Sequence, residues 1–124
     1  MPLEFDNLQR ALEDFVYTYG FLASVVSTSD GLVVASAIKE GLDQNLAAAL
    51  SALVDQTIDR VKNDLRLGNV KHFLIEAELG TLIFKKIVIN EEPILLTVLA
   101  PKSMRYFKRK LNRISKSIIN FLSP

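Results

Sequence analysis

The apolar positions of residues 8–19 recur at steps of three and four, which places them on one stripe of an α-helix. They are Leu8, Leu12, Phe15, Val16 and Tyr19. Gly20 follows directly, and a glycine at this place supplies the positive φ with which many helices end. The pattern predicts a first helix that stops at Gly20.

Two short runs of small and β-branched residues come next, FLASVVS (21–27) and LVVASA (32–37). The pair Asp30-Gly31 between them is typical of a β-hairpin, because a tight turn needs positive φ, which glycine adopts freely and aspartate tolerates. Apolar residues occupy odd and even positions alike. Both faces of this hairpin are therefore expected to be covered.

The longest helical pattern covers residues 43–67, with Asp43 as the expected N-cap and Gly68-Asn69 as the stop. Its larger side chains form one stripe, and its second half carries a charged outer face. The stripe consists of Leu46, Leu50, Leu53, Val54, Thr57, Val61 and Leu65. Alanines surround much of the first half, which raises helix propensity and lets another backbone approach closely.

Three strand-like runs follow, VKHFLIEAE (70–78), TLIFKKIVI (81–89) and ILLTVLA (94–100), with a turn at residues 90–93. Pro101 is expected to open a final helix, whose apolar residues again recur at steps of three and four. They are Met104, Phe107, Leu111, Ile114, Ile118 and Phe121.

The predicted order is helix, strand, strand, helix, strand, strand, strand, helix. Short connections make the strands of each group antiparallel neighbours, and strands that are apolar on both sides need cover on both sides. We therefore expect an α/β protein of the α+β type, with a single five-stranded antiparallel sheet and helices on both faces. One domain over residues 1–124 accounts for the length of the chain.

The composition is that of a globular protein, with 49% hydrophobic and 23% charged residues and no cysteine. The sequence shows neither a signal-peptide pattern nor an apolar run long enough for a membrane span. From these features we expect a cytoplasmic protein.

Catalytic chemistry finds little support in the sequence. His72 is the only histidine and has no second ligand nearby, Glu91 and Glu92 are adjacent rather than opposed, and there is no phosphate-binding loop or nucleophile elbow. A pair of acids on one strand, Glu76 and Glu78, is typical of a guarded sheet edge. We expect a protein that is not an enzyme and that holds no cofactor or metal.

Charge is distributed unevenly although the net charge is only +1. Residues 1–64 carry ten acids against four bases, whereas residues 101–124 carry seven bases and no acid. The basic segment is interpreted as a solvated surface that complements the acidic half. An anionic membrane or an acidic protein partner is the alternative. Nucleic acid is a weaker alternative, because Tyr106 is the only aromatic residue expected on the exposed side of the basic segment.

Helix, GFLASVVSTSDGLVVAS, long Ala/Leu helix, three strands, helix: this arrangement resembles the Roadblock family of dynein light chains and bacterial gliding-motility regulators over residues 5–122. The motif that carries the resemblance is Asp30-Gly31 followed by LVVAS. The resemblance implies a fold similar to longin and profilin, with the long helix on one face of the sheet and the terminal helices on the other.

The resemblance also implies a homodimer, or a heterodimer with a related subunit. Third strands of two protomers would pair edge to edge, and second helices would lie side by side. The interface residues implied in this chain are Val70, His72, Leu74 and Glu76 on the strand, and Ala48, Ala49 and Ala52 on the helix.

The family's role implies that the dimer binds a small Ras-like GTPase and modulates or localises it. The long helices would present Gln44, Ser51, Asp55, Asp59 and Lys62 to that partner. No residue is an evident arginine finger, and Arg60 and Arg66 are the candidates for that role. Two other functions stay open: a structural adaptor without effect on nucleotide turnover, and a membrane- or nucleic-acid-associated module that uses the basic terminal helix.

Overall fold

A computed structural model of the chain describes residues 3–123, and the side chains of residues 6–123. Met1, Pro2 and Pro124 of the predicted domain lie outside the described residues. The helices are α1 (Leu3–Tyr19), α2 (Gln44–Asp64) and α3 (Lys108–Leu122), and the strands are β1 (Ala23–Thr28), β2 (Val33–Ile38), β3 (Phe73–Ala77), β4 (Gly80–Ile89) and β5 (Glu92–Pro101). The predicted order of elements is confirmed.

The five strands form one antiparallel sheet in the order β2-β1-β5-β4-β3. The predicted fold class is thereby confirmed. β5 lies at the centre of the sheet, between β1 and β4, which explains why its sequence is almost entirely apolar. β2 and β3 are the two edge strands.

The two faces of the sheet carry different helices. The hydroxyl of Ser24 on β1 donates to the carbonyl of Leu12 in α1 at 3.5 Å, whereas Ser27 on the same strand lies 3.1 Å from the hydroxyl of Ser51 in α2. Residues an odd number apart on a strand point to opposite faces. α1 and α2 therefore cover opposite faces, and α3 packs beside α1. This is the layering that the resemblance implied.

The larger hydrophobic core lies between the sheet and the layer of α1 and α3. Leu8 and Leu12 of α1 are fully buried, as the helical spacing predicts, and Leu111 and Ile118 of α3 meet them from the side. Phe15 also stacks on Phe21, just past the end of α1, with ring centroids 4.1 Å apart. The connection after Gly20, whose φ is +87°, is thus held against the core.

The first hairpin is closed by a three-residue loop rather than by a two-residue turn. The N–H of Gly31 donates to the carbonyl of Thr28 at 3.0 Å, and the N–H of Thr28 donates to the carbonyl of Leu32 at 2.9 Å. Only Gly31 takes positive φ (+88°), so aspartate at position 30 is not needed for a left-handed conformation. Leu32, expected at the start of the second strand, closes the loop through its carbonyl, precedes β2 by one residue and is exposed.

Several boundaries differ from those predicted from the sequence: α2 ends at Asp64 rather than 67, and β5 begins at Glu92, inside the turn expected at 90–93. β3 pairs with β4 only from Phe73 to Ala77, so residues 70–72 approach the sheet without joining its ladder. Pro101 ends β5 opposite Gly80 and does not open a helix. A turn closed by the N–H of Met104 on the carbonyl of Pro101 follows, and α3 begins at Lys108. Spacings of three and four residues fit this turn as well as a helix, which is why the pattern misplaced the boundary.

Candidate functional site: the outer face of the second helix and the β3 edge

α2 lies on the sheet through its small residues. Its buried positions are Ala47, Ala48, Ser51 and Ile58. Small side chains let the helix axis come close to the strands, so there is little room beneath it for leucine. The helix begins as predicted, because Asp43 accepts a hydrogen bond from the N–H of Leu46 at 3.0 Å.

The leucines of the first half of α2 point away from the sheet. Leu46 is 57% exposed, Leu53 is 61% exposed, and Leu50 between them is also exposed. We call these three residues the outer leucine face. This part of the predicted stripe does not pack on the sheet, because the alanine side of the helix occupies that place. Clustered exposed leucines on a helix make this face a candidate binding surface for another molecule.

The unpaired edge of β3 is the second apolar feature that the structure leaves exposed. Leu74 and Ile75 lie on this edge strand and are both exposed, and they point to opposite faces of the sheet. Glu76 is also exposed, and its partner across the ladder is Thr81. We call residues 73–77 the β3 edge. Its free backbone groups and apolar side chains suit pairing with another strand.

Of the predicted dimer residues, Leu74 and Glu76 lie on the β3 edge, and the others lie just ahead of β3 or on α2. Val70 and His72 are half-buried just ahead of β3, Ala49 is exposed on α2, and Ala52 is half-buried. Ala48 is fully buried against the sheet of its own protomer. Assigning Ala48 to a helix–helix seam is therefore wrong, because its methyl group is already covered.

One predicted partner-binding residue is also misplaced. Ser51 is 2% exposed, donates to the carbonyl of Ala48 at 2.9 Å and lies 3.1 Å from the hydroxyl of Ser27. It joins α2 to β1 and presents nothing to a partner. The sequence of small and polar residues in this helix did not reveal that Ser51 faces inward.

Asp55 and Asp59 of α2 are tied to the sheet through a lysine that was not among the predicted site residues. Lys86 of β4 places its Nζ 3.1 Å from Asp55 and 3.3 Å from Asp59. Burial acts to lower the pKa of Lys86, but hydrogen bonds and the negative charges of Asp55 and Asp59 outweigh it and raise the pKa above its ordinary value. A lysine in a strand pattern gives no sign of its partner on a distant helix.

Three of the predicted partner-binding residues keep exposed side chains. Gln44, at the start of α2, accepts a hydrogen bond from the hydroxyl of Ser36. Asp59 and Lys62 lie farther along the helix. Asp55, by contrast, has a side chain only 13% exposed and is largely occupied by its ion pair. The surface of α2 thus offers polar groups beside the outer leucine face.

His72 lies in a cationic environment at the start of the β3 edge. Burial lowers the pKa of its imidazole, and the charges of Lys85, Lys108 and Lys71 lower it further. The ring is therefore held neutral near pH 7. Within residues 6–123, no group of three histidine, aspartate or glutamate side chains is placed to hold a metal ion.

Comparison with known proteins gives no match to a family model and no match to a curated protein sequence. Solved structures do match. MglB of Myxococcus xanthus superimposes with a TM-score of 0.83 at 11% identity, over 97% of this chain and 90% of that one.

Two further structures extend the comparison. The gliding protein MglB of Thermus thermophilus gives a TM-score of 0.74 at 17% identity, over 98% of this chain and 92% of that one. A Roadblock/LC7 domain from Streptomyces avermitilis gives 0.63 at 23% identity, over 90% and 97% respectively. The chain therefore has the Roadblock fold, which the sequence resemblance predicted.

Proposed function

We propose that the protein is a non-enzymatic, cytoplasmic dimer that binds a small Ras-like GTPase and modulates or localises it. The main observation in support is that a single protomer exposes an apolar surface. This surface consists of the outer leucine face and the β3 edge. A single folded domain over residues 1–124 is part of this proposal.

Self-association is supported by the chemistry of the β3 edge. Leu74 and Ile75 are exposed beside unpaired backbone groups, and no helix or loop among the described residues covers them. A second copy would pair both sets of groups at once in an isologous contact. The interface residues proposed are Val70, His72, Leu74, Glu76, Ala49 and Ala52. MglB has been seen in a tetrameric arrangement, so that protein associates through the same fold.

The partner surface proposed is the solvent side of α2. Gln44, Asp55, Asp59 and Lys62 provide its polar groups, and the outer leucine face provides the apolar centre that a protein interface needs. A platform of this kind would act by positioning groups of the GTPase itself. The structure provides one restriction: Asp55 reaches a partner only if its ion pair with Lys86 opens.

The dimer is tested by charge placed on the β3 edge. The double substitution Leu74→Lys and Ile75→Lys should convert the dimer to a monomer in sedimentation velocity at tens of micromolar, because two cations per edge would face each other across the two-fold axis. Leu32→Lys is the matched control, since Leu32 is an exposed leucine beside the loop of the first hairpin. A wild-type protein that sediments as a monomer would remove the dimer from the proposal.

The GTPase is tested by binding to small Ras-like GTPases from the same cell, loaded with GDP or with a GTP analogue. A regulator distinguishes the two loaded states or changes the rate of hydrolysis. Leu46→Gln with Leu53→Gln should weaken the complex about 10-fold or more, since these leucines would lie at its centre. Binding that ignores the nucleotide and leaves turnover unchanged would favour the structural adaptor.

A further inference from the structure

Positive charge is concentrated on α3 and the segment before it, on the side of the sheet opposite α2. We call these cations the basic face: Lys102, Arg105, Lys108, Arg109, Lys110, Arg113 and Lys116. α3 turns its apolar stripe inward, where Leu111, Ile114 and Ile118 are buried. Arg109 and Lys116 consequently point straight to solvent.

These cations form no ion pair within residues 6–123. The ion pairs of that range join Lys86 to Asp55 and Asp59 of α2, and none involves the basic face. The expectation that the basic segment complements the acidic half is therefore not met by direct pairing. The acids of α2 lie on the other side of the sheet.

Few carboxylates lie beside these cations. One already accepts a hydrogen bond, and another lies at the margin of the basic face. Lys110 donates to the carbonyl of Tyr19 and Arg113 to its hydroxyl, both at 3.2 Å, in a groove that Asp14 also lines. Asp14 itself accepts from Thr18 at 2.6 Å. Glu76 lines a depression at the other end of the basic face. The seven cations thus outnumber these acids, although α1 beside α3 carries two more exposed acids, Asp6 and Glu13.

The positive field extends from α3 onto the sheet. Lys85 and Lys71 join Lys108 around His72, and burial together with these three charges lowers the pKa of the imidazole. Cationic side chains therefore continue from α3 to β3 and β4 around His72.

The side chains of the basic face favour lipid over other anionic partners. Tyr106 is 89% exposed in the middle of the cations, and tyrosine is the side chain that membrane–water interfaces attract. A protein interface needs an apolar centre, and the exposed leucines lie elsewhere, on α2 and β3. Single-stranded nucleic acid needs a row of stacking aromatics, whereas this face has one.

We propose that the basic face docks the protein on an anionic lipid bilayer as a peripheral contact. Each cation near such a surface adds to the attraction, and the cytoplasmic leaflet carries the required negative potential. Because α2 lies on the opposite side of the sheet, its outer leucine face would point away from the bilayer and stay open to a partner.

The proposed dimer strengthens this contact, and only this step rests on the proposed function. Antiparallel pairing of two β3 edges has its two-fold axis perpendicular to the sheet, so both basic faces fall on the same side. Two linked patches bind one surface with higher avidity than either patch alone. A monomeric variant should therefore bind vesicles more weakly but not lose binding.

The experiment is cosedimentation of the full chain with vesicles of phosphatidylcholine alone, or of phosphatidylcholine with one third phosphatidylserine, at low and at physiological salt. The test variant is Arg105→Gln, Arg109→Gln and Lys116→Gln. The matched control, Lys39→Gln, Arg60→Gln and Arg66→Gln, removes three exposed cations outside the basic face and gives the same net charge. Circular dichroism confirms that both variants fold.

Binding should be confined to the anionic vesicles and should weaken with salt. The test variant should lower the partition coefficient by about 100-fold, and the control should stay near wild type. Tyr106→Ser should weaken binding in the same direction. Equal losses in both triple variants would overturn the assignment to this face.

Two other outcomes would overturn the lipid assignment itself. One is the absence of binding to anionic vesicles even at low salt. The other is tighter binding, at equal salt, to a duplex oligonucleotide or to a polyglutamate peptide than to the vesicles. Because none of these readouts uses a GTPase, failure here leaves the proposed function standing, and failure of the GTPase experiments leaves the lipid contact standing.

Discussion

At the scale of single residues, the backbone conformation of the turn between β4 and β5 is the clearest departure from local preference. Asn90 and Glu91 form a two-residue turn between β4 and β5 with φ of +52° and +67°. Both central residues of this kind of turn need positive φ, and the favoured pair is Asn-Gly. Asn90 fits its position, whereas Glu91 has a Cβ in a conformation that glycine adopts without strain.

Glu91→Gly should therefore raise the free energy of unfolding by about 0.5 to 1 kcal/mol, since relief of the strained conformation outweighs the added freedom of the unfolded chain. Chemical denaturation measures it. The matched control is Glu92→Gly one position later, where the residue pairs with Ile89 in extended β5 and glycine should destabilise. Equal effects at both positions would contradict this account of the turn.

At the scale of elements, α2 is held to the sheet by two different means. Its alanines fill the space over the central strands, and the Ser51 and Ser27 hydroxyls meet between helix and strand. Farther along, Lys86 of β4 anchors the helix through Asp55 and Asp59. Asp55 is more buried than Asp59. Removing the charge of Lys86 would therefore leave the carboxylate of Asp55 without a counter-charge and poorly hydrated.

Lys86→Met should lower the free energy of unfolding by about 1 to 2 kcal/mol, because the carboxylate of Asp55 would lose the only cation that balances its burial. Thermal and chemical denaturation measure it. Asp59→Asn is the control, and this half-exposed partner should cost less than about 1 kcal/mol. Adding Asp55→Leu to Lys86→Met should recover part of the loss; no recovery would show that Lys86 acts through something other than its charge.

At the scale of the whole molecule, the sheet separates two surfaces of different chemistry. One side carries α2 with its exposed leucines, and the other carries the basic face on α3. The β3 edge lies between these sides and is the place where a second copy would continue the sheet. None of the described helices is long and apolar enough to cross a membrane. This separation of the two surfaces is what the proposed function and the proposed lipid contact both require.

If the folded protein is a dimer, its thermal midpoint must depend on concentration, because dissociation accompanies unfolding. Diluting the protein 100-fold should lower the midpoint by about 5 °C, from the mass-action term spread over the unfolding entropy of two chains. Differential scanning fluorimetry over that range measures it. The Leu74→Lys, Ile75→Lys variant should show no such dependence, and a concentration-independent wild-type midpoint would contradict the dimer.

The sequence by itself determined the order of elements, the antiparallel sheet covered on both faces, the inward stripes of α1 and α3, and the cap at Asp43. These features follow from hydrophobic periodicity and turn-forming residues, which depend only on residues close together in the sequence. The tertiary structure alone decided that the alanine side of α2 meets the sheet, that Ala48 and Ser51 are buried, and that Lys86 pairs with Asp55. Periodicity identifies the apolar sides of a helix. When a helix has two such sides, the one that faces the sheet is decided by the distance between the helix and the strands, which limits the size of the side chains that fit between them.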